Sequence, residues 1–413
     1  MSKLTLKAFN YHPDFNNESL IEKATGIIRG IKLKTIVGFE NFGFHELALN
    51  FGQFNLNEIT DFAERIIKQN TKNIIIFTDS RTRDNINAAM DFVYFYDLLG
   101  ANKIKYEIIN CDESYTNWFD KYEFFKKTYC FENTSFVFTK LNTFTDSFVE
   151  FIKVFLNYMQ LKNGYYRTLE RCFIIGKQCL EDQLNFIETV EDNRLISPNI
   201  LDERFSFFSE INLLLMHING ININNVLEGY TSASIDFTSE DIKNNLAFQY
   251  GYINSVLKYE KKQNILIGGN QSLNKLLLIQ AKLSNENIQK HNNLTNTMCF
   301  PEDIYTYAPY TIGMNHRFFA SYITFHQEKT DFRITPELNE NDGIPAFKQN
   351  RLSEANKLIT DGVLTTLSHI ANIPLCQIIL NNNSEGVLGA YVCFIYWSQI
   401  YESYLNKSNP FAV

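Results

Sequence analysis

The side chains best suited to chemistry in this chain are scattered, and their spacing excludes several reaction classes. Seven histidines stand at positions 12, 45, 217, 291, 316, 326 and 369. No pair has the separation that lets two imidazoles share a metal ion, so each reads as a structural or surface residue. The seven cysteines, at 111, 130, 172, 179, 299, 376 and 393, contain no CxxC pair. They read as reduced thiols of a cytoplasmic protein, mostly buried in apolar runs. The chain has no HExxH and no GxSxG. No two glycines are separated by a single residue, which removes the glycine frame that dinucleotide-binding turns use to approach a pyrophosphate. Gly176-Lys177 lacks both the upstream glycine and the following Ser/Thr of a P-loop. The expectation is a protein with no metal and no cofactor.

Charge and length narrow the partners. A net charge of −8 argues against a nucleic-acid binder, which needs a basic face to neutralise phosphates. A small anion can still bind where local cations overcome that field. The longest apolar runs, 211–216 and 388–397, fall short of the roughly 18 residues that cross a bilayer, and the first residues lack a secretory signal. Neither a membrane nor a nucleic acid is expected as a partner. A chain of 413 residues is too long for one hydrophobic core and favours two or three domains.

The elements that must position any site alternate in type. Runs 74–77, 105–109, 135–139 and 172–176 are short, apolar and rich in β-branched residues, as buried strands are. Between them lie amphipathic helices. One carries Ile86, Met90 and Val93 on one face and stops at Gly100; another carries Phe148, Ile152, Phe155 and Met159 after Thr145-Asp146. Repeated strand and helix imply parallel pairing with right-handed crossovers. After a helical stretch at about 205–218, a second set follows. It contains a helix at 239–259, a strand at 264–267, a helix at 271–283, a less regular segment at 291–350, a helix at 352–370, a strand at 375–380 and a last helix from Ser384. The predicted architecture is α/β, with two doubly wound parallel sheets flanked by helices. Their boundaries fall at 51–200 and 201–413, and residues 1–50 form an N-terminal extension packed on the core.

Several short segments, in order, carry a family likeness. Asp202-Glu203-Arg204-Phe205-Ser206, an apolar helix and Asn219-Gly220-Ile221-Asn222-Ile223 resemble Gly-Gly-Arg-Tyr-Ser, an apolar helix and Ala-Gly-Ile-Asp-Ile of the glucose-6-phosphate isomerases. Ala247-Phe248-Gln249-Tyr250 is similar to that family's Ala-Tyr-Gln-Tyr, and Leu352-Ser353-Glu354-Ala355-Asn356 to its Leu-x-x-Ala-Asn. Leu388-Gly389 and Asn409-Pro410-Phe411 resemble its last helix and its Asn-Pro-Phe ending.

The resemblance implies two sugar-isomerase (SIS-type) domains with a sugar phosphate between them, no cofactor, and a homodimer. It aligns Thr139, Lys140 and Thr143 with the family's phosphate loop, although Leu141 and Phe144 stand where donors or small residues are usual. Asp146, near the helix start, is expected to act as an N-cap. The glycine-rich second phosphate turn is replaced by Phe77-Thr78-Asp79-Ser80-Arg81, where Ser80 and Arg81 are the remaining candidates to engage an anion and Asp79 or Ser80 caps a helix. Glu286 aligns with the general base of a Glu-Ser-x-Gly-Lys segment whose last residue, Lys290, is a candidate substrate-binding residue. Arg204 aligns with the cation that stabilises an enediolate; its alternative is a salt bridge to Asp202 or Glu203.

The two ring-opening groups have no counterparts: 308–314 contains no histidine, and the chain stops at Val413 before the family's lysine. His316 and Lys407 are the nearest substitutes. The implied function is an aldose–ketose isomerase that interconverts glucose 6-phosphate and fructose 6-phosphate through an enediol and is impaired on cyclic sugar. The alternatives are a pseudoenzyme that binds sugar phosphate and a structural partner that binds none.

Overall fold

Alternating apolar and polar runs build two five-stranded sheets. The computed structural model describes residues 3–50, 56–94, 104–198, 200–286, 293–327, 331, 333 and 351–412. The strands are β1 (Leu4–Phe9), β2 (Asn73–Thr78), β3 (Lys105–Asn110), β4 (Thr134–Lys140), β5 (Cys172–Gly176), β6 (Arg194–Ile196), β7 (Gln263–Gly268), β8 (Leu294–Cys299), β9 (Phe318–Phe325) and β10 (Leu375–Leu380). The chain divides into two compact units. One comprises Glu40–Met90 and Tyr94–Ile223; the other comprises Met1–Phe39, Asp91–Val93 and Asn224–Val413.

In the 40–223 unit the sheet order is β3-β2-β4-β5-β6, with every pairing parallel. Successive residues of a strand face opposite sides, so Ile75, Phe77, Phe136, Phe138 and Ile174 share one face. There they meet Trp118, Tyr122 and Phe125 of the helix Tyr115–Thr128 and Phe148, Phe151 and Phe155 of the helix Asp146–Asn163. Phe77 and Phe138 stack with centroids 4.7 Å apart. The Phe77 ring is thus committed to the core, and the residue itself lies within β2. On the opposite face, Phe62 of the helix Leu56–Lys68 meets Phe173 edge-on at 5.6 Å.

In the other unit the order is β1-β10-β9-β7-β8. The last four strands are mutually parallel, whereas β1 runs antiparallel to β10, from Leu4↔Leu380 to Phe9↔Leu375. The apolar–polar alternation of Leu4-Thr5-Leu6-Lys7-Ala8 suits such an edge strand. The helix Glu385–Leu405 is buried along almost its whole length. It packs on the helix Leu246–Glu260, with Tyr250 and Phe394 rings 5.2 Å apart. Gly251 permits that approach, since a Cβ there would lie 2.6 Å from the Ser398 carbonyl.

Four sequence expectations change. The segment 291–350 contains two strands, β8 and β9, with the helix Ile304–Gly313 between them. β8 escaped notice because its edge position needs no apolar run, and β9 because Ser321 and Thr324, both buried, interrupt its apolar run. The helix expected from 239 begins at Leu246. Asn245 stops the preceding turn by donating to the Phe237 and Ser239 carbonyls, each at 3.0 Å, while its Oδ1 accepts from Phe248 N at 2.9 Å. The helix expected over 271–283 is a 3-10 turn, Gln271–Leu273, followed by Asn274–Glu286. The helix from Leu352 is α-helical to Thr365 and closes with a π-helical turn, Thr366–Ile370. Gly100 lies outside the described residues. No described helix is long and apolar enough to cross a membrane.

Candidate functional site

Because β2, β3, β4 and β5 are parallel, their C-terminal ends share one edge of the sheet, where the following helices begin. Helix starts present unpaired N–H groups and the positive end of the dipole, which favour an anion. The turn after β4 has a divided character. Leu141 and Phe144 are buried and anchor it, whereas Asn142, Thr143 and Thr145 are exposed. Gln183 clamps the anchor: its Oε1 accepts from Phe144 N at 2.8 Å and its Nε2 donates to Phe144 O at 2.9 Å. The two bulky residues at donor positions thus hold the turn so that Thr143 faces outward. Thr145, not Asp146, occupies the N-cap, and its side chain makes no capping bond. The expected Asp146 cap is corrected to an acidic residue in the first helical turn.

Lys140 ends β4, partly exposed, with its ammonium 6.0 Å from the Phe144 ring centre. Its charge acts on Asp79, Cys111 and Asp112. Thr139 is buried, and its Oγ has no hydrogen-bond partner among the described residues, as is true of Thr78 on the neighbouring strand. An unmade bond at a buried hydroxyl is costly. Ser80 is engaged: its N–H donates to Asp112 Oδ2 at 2.8 Å, and Asn110 Nδ2 donates to its hydroxyl at 2.9 Å. Asp79 is the helix cap, accepting from Thr82 N at 2.7 Å. Burial raises the Asp79 carboxyl above its usual range, against the Thr82 N–H bond and the Lys140 charge. Burial also opposes ionisation of Asp112, but the Ser80 N–H and hydroxyl, with Lys140, hold it below the usual range. Burial pushes the Cys111 thiol to about 12, so it stays protonated.

Arg204 sits in the turn Glu203–Phe205, only 9% exposed. Asp202 grips it at three points: the backbone N–H at 2.8 Å, Nε at 3.2 Å and Nη2 at 3.3 Å. Phe205 locks the turn by stacking on Phe44 at 5.1 Å. Asn142 Nδ2 donates to Glu203 Oε1 at 2.6 Å, so the outward turn after β4 and the turn bearing Arg204 are tied together.

Beyond Arg204, Glu210 opens the helix Glu210–Ile218 in a buried position that sequence reasoning overlooked. Its Oε2 has no partner among the described residues, and burial pushes its pKa up to about 7 from 4.5, against the opposing bond with Ser197. A raised carboxyl leaves stability at its fullest below the unfolded value and removes it as pH rises through about 7. The difference corresponds to about 3 kcal/mol. Glu210→Gln is therefore expected to stabilise the protein above pH 7 and to change little near pH 4, as measured by denaturant unfolding across that range. An equal gain at both ends would show that ionisation is not the cause.

Glu286 belongs to the other unit, where it is the partly exposed last residue of the helix Asn274–Glu286. The preceding residue fastens that end. Asn285 Nδ2 donates to Thr295 O at 2.9 Å, and Asn285 Oδ1 accepts from Thr295 N at 2.8 Å. Lys290 lies outside the described residues. His316 and Lys407 are both exposed. Among the described residues no cluster of His, Cys, Asp and Glu could hold a metal ion.

No protein-family model matches the chain. Among characterised proteins it is 22% identical over 406 residues to a glucose-6-phosphate isomerase of Mycoplasmopsis pulmonis, covering 96% of this chain and 93% of that protein. It is 25% identical over 390 residues to one of Streptococcus agalactiae, covering 91% and 84%. Among solved structures, a hypothetical protein from Thermus thermophilus superposes with a TM-score of 0.83 at 13% identity, over 99% of this chain and 96% of that one. A glucose-6-phosphate isomerase from Chlamydia trachomatis superposes with a TM-score of 0.76 at 10% identity, over 99% and 85%.

Proposed function

Since the chain is a divergent relative of the glucose-6-phosphate isomerase family, we propose that it interconverts glucose 6-phosphate and fructose 6-phosphate through an enediol. The observation that carries this reading is the similarity to named isomerases along more than nine-tenths of the chain. Glu286 takes the proton from the carbon next to the carbonyl and returns it to the neighbouring carbon. One carbon is oxidised as the other is reduced, so no external redox partner is needed. The former carbonyl oxygen gains a proton as the neighbouring hydroxyl gives one up, and Arg204 offsets the negative charge that grows on these enediolate oxygens. Asp202 keeps the guanidinium in one orientation while reducing its net field.

The phosphate is assigned to Lys140, Thr143 and the helix start that follows. Thr139 is buried at the end of β4, and Ser80 is already bonded to Asp112 and Asn110 at the β3 end. With a net charge of −8, a dianion needs a local cation. Lys140→Ala is expected to weaken fructose 6-phosphate binding by about 1–3 kcal/mol, the range for a charge-assisted hydrogen bond. Titration calorimetry measures this, and unchanged affinity would move the phosphate elsewhere.

The working form is taken to be a cytoplasmic homodimer, which sedimentation can test. A second reading, a sugar-phosphate-binding protein without catalysis, is favoured by the absence of histidine from the helix Ile304–Gly313. Following both sugar phosphates by NMR with wild-type protein and Arg204→Ala separates the two. Isomerisation by the wild type that falls sharply in the variant supports the enzyme. Binding without isomerisation supports the second reading.

A further inference from the structure

Behind the helix that ends in Glu286 lies a buried polar assembly absent from the sequence argument. Lys258, on the helix Leu246–Glu260, is 4% exposed and Glu402, on Glu385–Leu405, is 1% exposed. Their side chains form an ion pair at 2.5 Å. The same ammonium donates to Ser284 Oγ at 2.7 Å, and Ser284 Oγ lies 3.0 Å from Thr295 Oγ1 on β8. Ser284 belongs to the last turn of the Glu286 helix, where carbonyls concentrate negative partial charge, so a cation beside it is favourably placed.

Next to this pair is a cavity of about 10 Å³ lined by Asn254, Asn264, Gln280, Ser284, Gln399 and Glu402, among others. That size admits about one water. Asn254 Oδ1, Asn264 Oδ1 and Gln399 Nε2 have no partner among the described residues. Two acceptors and one donor suit a water molecule. A metal cation would face the Gln399 amide hydrogens and the Lys258 charge. Lys258 is thus held by Glu402 on one side and Ser284 on the other, and both of these partners also line a chamber with room for about one water.

We propose that Lys258 is a positioning residue for Glu286, holding the last turn of its helix through Ser284 so that the carboxylate stays where proton transfer requires it. The catalytic part of this proposal rests on the isomerase reading; the mechanical part does not. Displacement of a catalytic group by about 1 Å can cost roughly 100-fold in rate, so a hydrogen bond two residues away is a sufficient lever.

Ser284→Ala is the informative variant because it leaves the Lys258–Glu402 pair intact, and Ser284→Thr restores the hydroxyl. Two readouts are needed on the whole chain. Amide hydrogen exchange over 281–286 is expected to accelerate by about tenfold or more in Ser284→Ala, with the rest of the chain unchanged. Steady-state kinetics with fructose 6-phosphate are expected to show kcat lowered about 10- to 100-fold and KM within about twofold. Ser284→Thr should return both toward wild type. Unchanged exchange overturns the proposal, as does unchanged kcat or a loss confined to KM. If wild type binds the sugar phosphate but does not isomerise it, the functional reading fails and positioning of a catalytic base falls with it. Exchange alone then decides whether Lys258 holds that turn.

Discussion

Glu286→Gln is expected to lower isomerisation of glucose 6-phosphate by at least about 10²–10⁴-fold, the usual contribution of a positioned general base. Glutamine keeps the size and hydrogen-bonding reach of the side chain but cannot take a proton. Because glutamine keeps the shape of this partly exposed residue at a helix end, stability should change far less than activity. Loss of activity without loss of fold is thus the expected pattern.

Deuterium incorporation at the carbon next to the carbonyl, followed by NMR, isolates this step from ring opening. The distinction matters because the helix Ile304–Gly313 carries no histidine, the residue that the resemblance implies for ring opening. The expected defect of wild type falls on cyclic sugar alone, again about 10²–10⁴-fold, so open-chain analogues should exchange faster than cyclic substrate. Wild-type exchange no greater than that of Glu286→Gln, even on an open-chain analogue, would exclude proton transfer and leave a binding protein.

The largest expected effect on stability comes from Lys258→Met. It removes one partner of an ion pair whose side chains are 3% and 2% exposed. Removing one partner of a buried ion pair costs about 3–5 kcal/mol, to which the lost bond to Ser284 adds. Replacing both partners together, as Lys258→Met with Glu402→Leu, should recover much of that loss, because the desolvation of both charges disappears as well. Denaturant unfolding followed by several probes measures both changes. A double variant as unstable as the single one would mean that the pair itself supplies the stability, and that burying the carboxylate without its lysine is not what costs it.

These two residues mark where the sequence was legible and where it was not. Glu286 could be found because its role is tied to a local segment and its position in an ordered series of short matches. Lys258 could not, because its partner lies 144 positions away and nothing about a lysine in the last turn of a helix announces burial. The same contrast holds for the strands. β2, β4 and β5 are interior to a parallel sheet and therefore read as continuous apolar runs. β8 is an edge, and its half-exposed run Leu294–Cys299 has no apolar stretch to mark it.

In the candidate site, the Lys140 turn was legible as a strand end followed by hydroxyls. The roles of Leu141 and Phe144 were not, since only packing shows that these apolar residues orient the turn rather than spoil it. Arg204 shows the remaining gap. Sequence placed it beside two acids, but only geometry shows that Asp202 forms the fork while Glu203 reaches Asn142.

The pairing of β1 with β10 also governs when each part of the chain can assemble during synthesis. Leu4 must wait for Leu380, 376 residues later, which at about 5–20 residues per second is roughly 20–75 s on the ribosome. Over most of that interval β1 is a strand without a neighbour, and exposed strand edges invite mispairing. The sheet of β2 to β6, by contrast, draws every strand from 73–196 and is complete before β7 has been translated. The central unit can therefore fold first, while the outer segments of the chain remain open until the last sheet strand emerges. Slow closure of so long a loop is the step on which chaperones and nascent-chain proteolysis would act.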